Sequence, residues 1–446
     1  MVRIFSHYYP RRLFLMIALD GIIASACLLQ LMRFHTPGSN LLPAEGAWVA
    51  ATACLCLFVF YVFDFYDLDL RHGLKGLART VFLTVGVATL AAAPLSAIAL
   101  APSRSATWLC AGFVGIVSFL LCLHLVYERY SHPASREKLL LIGDSPLIDE
   151  MARHVRTQRS LPVSITSVMR LSSPLRSTLG ALERSFHPTW IAVDQPARFR
   201  PDLATQLIGL RQRGVRVEDA TDVYEAITGR LPIRSLTEAD VAHGPALNAS
   251  GWVALATTAM DLIVASLMLM AAAPAILICM ILIKLESRGP CLYRQERVGR
   301  DGRLFNIIKL RTMRIDAETS TGPIWACKDD PRVTRIGRSL RKYHLDELPQ
   351  LWNVLRREMS MVGPRPERKH FTEVLRDQVP FYALRHTVTP GVTGWAQVCS
   401  RYGESIADAY TKHEYDLYYL KHRTLSFNLF ILLKTVKMCL IGRGAQ

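Results

Sequence analysis

Four apolar stretches come before residue 130, at roughly 13–33, 47–66, 77–101 and 107–128. Each approaches the ~20 residues a helix needs to cross a hydrocarbon core about 30 Å thick. The first is too long for a cleaved signal peptide and lacks a small-residue cleavage site. Lys and Arg in the short connections set the expected orientation. Arg3, Arg11 and Arg12 precede the first stretch, and loop 34–46 has neither residue type. Loop 67–79 carries Arg71, Lys75 and Arg79, loop 102–106 only Arg104, and Arg129, Arg136 and Lys138 come after the fourth stretch. The order is in, out, in, out, in. Residues 1–130 are expected to be a four-helix transmembrane domain, with everything after it starting in the cytoplasm.

Composition agrees: charged residues make up 20% and mean hydropathy is +0.20. A formal charge of +16 suits nucleic acid, an anionic membrane surface or a phosphorylated substrate. The apolar stretches argue against the first of these. Ten cysteines, none in C-x-x-C spacing and most in apolar runs, read as buried free thiols.

Residues 131–250 read as a small parallel α/β domain. "KLLLIGDSP" is a buried strand ending in a Gly turn, "LIDEMARHVR" a helix, "TWIAVD" and "VRVED" further strands, and "LATQLIGLRQRG" a helix between them. A nucleotide fingerprint wants G-x-G-x-x-G at the first turn, but only Gly143 is present, with Asp144 next to it. An acid where amides should receive a pyrophosphate points instead to a degenerate Rossmann-like regulatory or assembly domain.

A fifth apolar run, 260–283, is also long enough to span. Its C-terminal flank carries Lys284, Arg288, Arg294 and Arg297, a cluster that the positive-inside bias keeps in the cytoplasm. Pro274, near its centre, removes a helix hydrogen bond and favours a kink. A broken helix over about 257–284, entering the membrane and returning to the same face, is therefore expected. The alternative, an ordinary fifth span, would leave the C-terminal part outside, away from nucleotide substrates.

Beyond it, basic residues outnumber acidic ones, and part of the excess suits anionic lipid heads. "RQERVGRDGRLFNIIKLRTMR" reads as a hairpin turning at Asp301-Gly302, with its second strand delivering Lys309 and Arg311. Next comes a helix carrying Arg338 and Arg341, a break, and a second helix with Leu348, Leu351, Trp352 and Leu355 on one buried face. Pro349 is tolerable only in that helix's first turn. Asp346 and Glu347 thus fall at a helix N-terminus, about 100° apart, where they need not share one job. Such acids are first-turn residues, or a nucleophile and a metal ligand held ionised by nearby arginines.

"KLRTMR" at 309–314, "LDELPQLWNVLRREMSMVGPRPE" at 345–367 and "TPGVTGWAQV" at 389–398 resemble, in order and spacing, the bacterial sugar transferase family of polyprenyl-phosphate sugar-1-phosphate transferases. The resemblance covers about 255–446 and, with the segments before it, is similar to the long, exopolysaccharide-initiating form. It implies a monotopic α/β catalytic domain with a re-entrant membrane helix, bent at Pro274. It also implies transfer of a sugar 1-phosphate from a UDP-sugar to undecaprenyl phosphate, with release of UMP. In this resemblance Asp346 is the nucleophile that forms a phosphosugar-enzyme intermediate, and Glu347 helps hold Mg²⁺. Arg341 matches an upstream arginine, and Arg365 lies between Pro364 and Pro366 as a bidentate phosphate grip. Lys309 and Arg311 bind phosphate or support the site. Gly391 and Gly394 allow close backbone approach to a ligand.

Two departures from the family's pattern are Ala273 before the proline and His344 before "LDE", where Ser is common; His344 is expected to be a surface variant. The implied setting is the bacterial inner membrane, with membrane lipids as partners, no nucleic acid, and a middle domain able to support a homodimer. A nucleotide-sugar epimerase or dehydratase would carry an intact glycine fingerprint and Tyr-x-x-x-Lys, which the sequence lacks. A non-catalytic assembly protein should have lost Asp346, Glu347 or Arg365.

Overall fold

The computed structural model describes residues 2–4, 7–9, 11–35, 43–62, 115, 137–158, 161, 163–170, 187–195, 200–243, 251–315, 330–400 and 405–441. Apart from the first few residues, the chain divides into two compact units, one reaching Ala220 and one beginning at Thr221.

In the first unit, helices α1 (Arg11–His35) and α2 (Pro43–Val62) coincide with the first two apolar stretches and pack on one another. The stretches expected at 77–101 and 107–128 lie outside the described residues. After strand β1 (Glu137–Ile142) come α3 (Pro146–Thr157), β2 (Val163–Met169), β3 (Trp190–Val193), α4 (Pro201–Gln212) and β4 (Arg216–Asp219). The four strands form one all-parallel sheet in the order β2-β1-β3-β4. Central strands β1 and β3 are buried along Leu139–Ile142 and Trp190–Val193, as apolar runs in a parallel sheet should be. Sequence reasoning missed β2. As an edge strand it intersperses Ser164, Thr166 and Ser167 among its apolar residues, so it shows no continuous apolar signal.

At the turn after β1, Gly143 has φ +148°, and a Cβ there would lie 2.4 Å from Asp194 Cβ. The Asp194 carboxylate accepts the Ser145 N–H at 3.1 Å and the Gln195 N–H at 2.9 Å. The place where a pyrophosphate would sit in a nucleotide-binding fold is thus served by the chain's own acid.

Helix α5 (Ala220–Thr228) leads into the second unit. This unit holds α6 (Gly251–Glu286), the one helix among the described residues long and apolar enough to cross a membrane by length and composition. Pro274 lies within this helix rather than between two, so the expected break is not an end of helical structure. Leu267, Met270, Leu277 and Ile281 are exposed, whereas Asp261, Ala265, Cys279 and Ile283 are buried. Ala265 joins the main core, and Cys279 and Ile283 pack with Leu310 and Leu340. Helix α6 is thus held near Asp261–Ala265 and again near Cys279–Ile283, with exposed apolar surface between these points.

Strands β5 (Leu292–Val298) and β6 (Leu304–Leu310) form the expected antiparallel hairpin, turning through Asp301 at φ 54° and Gly302 at φ 77°. Helix α7 (Arg335–Lys342) is capped by the Thr334 side chain, which accepts the Gly337 N–H at 3.0 Å. The expected second helix is in fact a 3-10 turn over Leu345–Gln350 that runs into the short α8 (Leu351–Leu355). Three residues per turn over the 3-10 segment shift the phase at which α8 begins. Leu351, Asn353 and Val354 are buried, and Trp352, expected on the buried face, is 47% exposed. Strand β7 (Ser360–Val362), α9 (Lys369–Gln378), β8 (Gly391–Thr393), α10 (Trp395–Cys399), α11 (Ile406–His422) and α12 (Leu425–Ile441) complete the unit, with β7 and β8 paired in parallel.

Asn353 is fully buried and joins α8 to the free edge of β6. Its Oδ1 accepts the Ile308 N–H at 3.1 Å, and its Nδ2 donates to the Asn306 carbonyl at 2.8 Å and to Glu358 at 2.7 Å. Asn353→Ala leaves a buried strand amide unpaired, and should cost about 2–3 kcal/mol in a denaturant melt of the full-length protein.

Candidate active site

Three backbone features bring the charged groups together. The β5–β6 hairpin presents Lys309, β7 leads into Pro364–Arg365–Pro366, and the chain reverses at His344. That residue is left-handed, with φ 56° and ψ 23°. His344 is not merely a surface variant: its conformation turns the chain out of α7 and into the 3-10 turn that carries both acids. Asp346 and Glu347 occupy the first turn, as expected.

The two acids differ sharply. Lys309 Nζ donates to Glu347 Oε1 at 2.9 Å, while Arg365 grips both carboxylate oxygens, Nη1 reaching Oε2 at 3.2 Å. Burial opposes the Glu347 charge, yet Arg365 and Lys309 outweigh it and hold the carboxyl well below its usual range. Burial also lowers Lys309, with Glu347 acting against it. Asp346 is 8% exposed, and among the described residues its carboxylate makes no hydrogen bond. Burial first, then the neighbouring Glu347 charge, push its carboxyl upward, against the pull of Lys309 and Arg341. The expectation that arginines hold both acids firmly ionised thus applies to Glu347; for Asp346 the shift has the opposite sign.

The other sequence candidates sort by their partners. Arg341 Nε donates to Thr312 Oγ1 at 3.0 Å, which keeps its guanidinium beside the acids without pairing to them. Arg311 supports the fold beside the site. Its guanidinium donates to the Ser287 and Arg288 carbonyls at 2.9 and 2.8 Å and to Ser287 Oγ, closing the end of α6. Gly391 and Gly394 lie in close contact with backbone. Cβ atoms there would come within 2.1 Å of Gly363 N and 2.2 Å of Gly363 O. That approach lets Gly391 N–H donate to the Pro364 carbonyl at 2.9 Å.

Sequence reasoning missed the groups that hold the Pro-Arg-Pro backbone. Arg385 Nη2 donates to the Arg365 carbonyl at 2.8 Å and pairs with buried Asp416 at 2.9 Å. Arg297 Nη1 donates to the Pro366 carbonyl at 3.1 Å. Next to this layer His413 lies 5.2 Å from the Tyr382 ring, and burial, with Arg385 adding to it, lowers its pKa to about 3. A histidine that protonates less readily when folded costs stability below its ordinary value near 6.5. Lowering the pH from 7 to 5 should therefore remove about 2 kcal/mol through His413. Comparing melts of the wild type and His413→Leu at the two pH values checks this.

Among the described residues no three His, Cys, Asp or Glu side chains cluster as a metal cage. A carboxylate offers about four lone-pair positions, and the contacts above use three of Glu347's. The fourth, together with Asp346, suits an ion such as Mg²⁺, which takes one or two carboxylates and fills its remaining positions from water and phosphate.

The sequence model of the bacterial sugar transferase family matches residues 252–442, the stretch that contains every side chain just described. Over 188 residues the chain is 41% identical to the UDP-glucose:undecaprenyl-phosphate glucose-1-phosphate transferase of Caulobacter vibrioides, covering 42% of this chain and 70% of that protein. The chain belongs to the bacterial sugar transferase family. It is also 40% identical over 224 residues to the UDP-N-acetylgalactosamine-undecaprenyl-phosphate N-acetylgalactosaminephosphotransferase of Aeromonas hydrophila, covering 50% of this chain. A third relative, the undecaprenyl-phosphate glucose phosphotransferase of Komagataeibacter xylinus, is 40% identical over 201 residues, or 44% of this chain. The match spans 52% of the Aeromonas protein and 38% of the Komagataeibacter one. In this bacterial sugar transferase, residues 221–243 belong to the same compact unit as the matched region, although they precede it.

Proposed function

We propose that the protein transfers a sugar 1-phosphate from a UDP-sugar to undecaprenyl phosphate, releasing UMP, as the first membrane step in building an exopolysaccharide or related glycan. The observation that carries this is the division between the two acids. Glu347 is clamped by Lys309 and Arg365, and Asp346 beside it is left without a bond among the described residues. The names of the relatives, all sugar phosphotransferases to undecaprenyl phosphate, support the substrate class.

In this reading an Asp346 oxygen attacks the sugar-bearing phosphorus of the donor. The new O–P bond forms as the diphosphate P–O bond breaks, and UMP leaves with the electron pair. A phosphate oxygen of the lipid then attacks the same phosphorus and releases Asp346, giving the lipid diphosphate sugar. Burial raises the free energy of the Asp346 anion, which favours its attack. Lys309, Arg341 and Arg365 oppose the charge spread over the phosphoryl oxygens. Mg²⁺, held by Glu347 and Asp346, would supply further neutralisation of the diphosphate. Helix α6, with its exposed apolar length, would set the site at the inner face of the bacterial inner membrane, where the lipid phosphate lies.

The test is UMP release by the full-length protein in nanodiscs with undecaprenyl phosphate, Mg²⁺ and a panel of UDP-glucose, UDP-galactose and their N-acetyl derivatives. Release that needs the lipid and stops with EDTA is expected from one donor. Release that continues without lipid would indicate a hydrolase and overturn the proposal.

A further inference from the structure

Residues 221–236 lie ahead of the family match, which begins at 252, yet they are built into its core. They run antiparallel along α11. At one end the Glu225 carboxylate, 2% exposed, accepts from Lys421 Nζ at 2.6 Å and meets His422 Nε2 at 3.0 Å. Further along, the Leu231 N–H donates to the Glu414 carbonyl at 3.1 Å, and the Arg230 guanidinium lies 5.0 Å from the Tyr415 ring. At the other end Arg234 sits 5.0 Å over Tyr410. Leu231 and Ile233 are buried in one cluster with Leu351, Val354 and Tyr418.

Between these anchors the chain turns at Gly229, with φ +66°, and its carbonyl accepts the indole N–H of Trp395 at 2.8 Å. A Cβ at Gly229 would lie 3.2 Å from the indole ring. Trp395 is 5% exposed and packs against Tyr418 and Phe427, with Lys434 Nζ 5.3 Å from its ring. A buried indole needs a partner for its one polar group, and here that partner comes from outside the matched region. Trp395 is the residue right after Gly394, so what fixes the indole also fixes the end of β8. That strand abuts Gly363 and donates to the Pro364 carbonyl, one residue from Arg365.

We propose that residues 221–236 are a positioning arm of the catalytic fold. By seating Trp395 on the Gly229 carbonyl, the arm holds β8 against Pro364–Arg365–Pro366 and so sets the Arg365 guanidinium on Glu347. Trp395 and Gly229 are positioning residues, acting through Arg365. The kinetic part of this proposal rests on the transferase reading; the packing part does not.

The experiment uses the full-length protein with a protease site inserted within 244–250. After cleavage in detergent at physiological salt, the N-terminal fragment is expected to remain with the catalytic fragment. In the Glu225→Ala/Arg230→Ala variant the cut fragments are expected to separate, and the donor kcat/KM of the uncut variant to fall about tenfold. Trp395→Phe keeps an aromatic six-membered ring in the core and removes the N–H together with the five-membered ring that carries it. It should melt within a few degrees of wild type, while the donor KM rises about fivefold and kcat stays within about twofold, since it loosens Arg365 and leaves Asp346 in place. Separation of the wild-type fragments, or equal retention in wild type and double variant, would overturn the arm. So would unchanged kcat and KM in Trp395→Phe. If uncut wild type releases UMP from no donor, the transferase reading falls, and fragment retention still decides for or against the arm.

Discussion

Asp346→Asn is expected to lower lipid-dependent UMP release by at least about 10³-fold and, at the same time, to raise the melting temperature. The two effects share one cause. Asp346 is buried beside the charge of Glu347 and makes no hydrogen bond among the described residues, and its carboxyl is shifted upward. An acid whose folded pKa is raised destabilises the folded state once the pH exceeds its unfolded value, because the ionised form is the one the fold disfavours. A neutral isostere removes that cost at pH 7. Strain of this kind at a reacting group is the usual trade of stability against activity. Thermal melts alongside the UMP assay check both halves. A variant that is inactive because it is unfolded would refute the explanation, and one that keeps full activity would refute the nucleophile.

Glu347→Gln should do the reverse to stability. It removes the anion that Lys309 and Arg365 share and leaves two cations facing each other in a largely buried place. Breaking a buried pair from one side costs about 3–5 kcal/mol, and release of UMP should fall at least about 10²-fold. The pH dependence gives a second check. Glu347 has its pKa depressed on folding by Arg365 and Lys309, against burial. Its contribution is complete above the unfolded value near 4.3 and is lost as pH falls through the lower folded value. The wild type should therefore lose stability through Glu347 only below about pH 4.3, and the Gln variant should lack that acid limb. The His413 effect occupies a higher window, starting near pH 6.5, so the two can be separated in one titration of melting temperature.

Much of the site was legible because its residues depart from what their surroundings predict. Asp346 and Glu347 are acids in a basic stretch, Pro364 and Pro366 bracket an arginine, and Asp301-Gly302 marks a turn between two strands. Arg297 and Arg385 were not legible for the converse reason. An arginine among arginines looks the same in sequence whether it faces lipid, phosphate or a carbonyl of its own chain, and only packing decides. For Arg311 the motif left phosphate binding and support of the site open, and its contacts with the end of α6 are of the supporting kind. The phase of α8 was misjudged because a 3-10 start leaves no mark on hydrophobic periodicity. The arm at 221–236 has no motif at all, and its glycine, arginines and glutamate acquire meaning only against α11. The strand–helix alternation of the first unit was readable, its edge strand β2 was not, and the third and fourth apolar stretches lie outside the described residues.

The crossing of Gly363, Gly391 and Gly394 has an evolutionary consequence. At each of these positions a single methyl group would enter space that backbone atoms of the facing segment already occupy, at 2.6, 2.1 and 2.2 Å. Because the atoms met are backbone, a replacement forces the facing segment itself to shift, which a side-chain change elsewhere does not readily offset. On this geometry, substitution at these three positions should be far less tolerated than at the side chains around the site. A saturation library over 363, 391 and 394, selected for glycan synthesis in cells, should return glycine at all three, whereas the neighbouring Val392 should accept other β-branched residues.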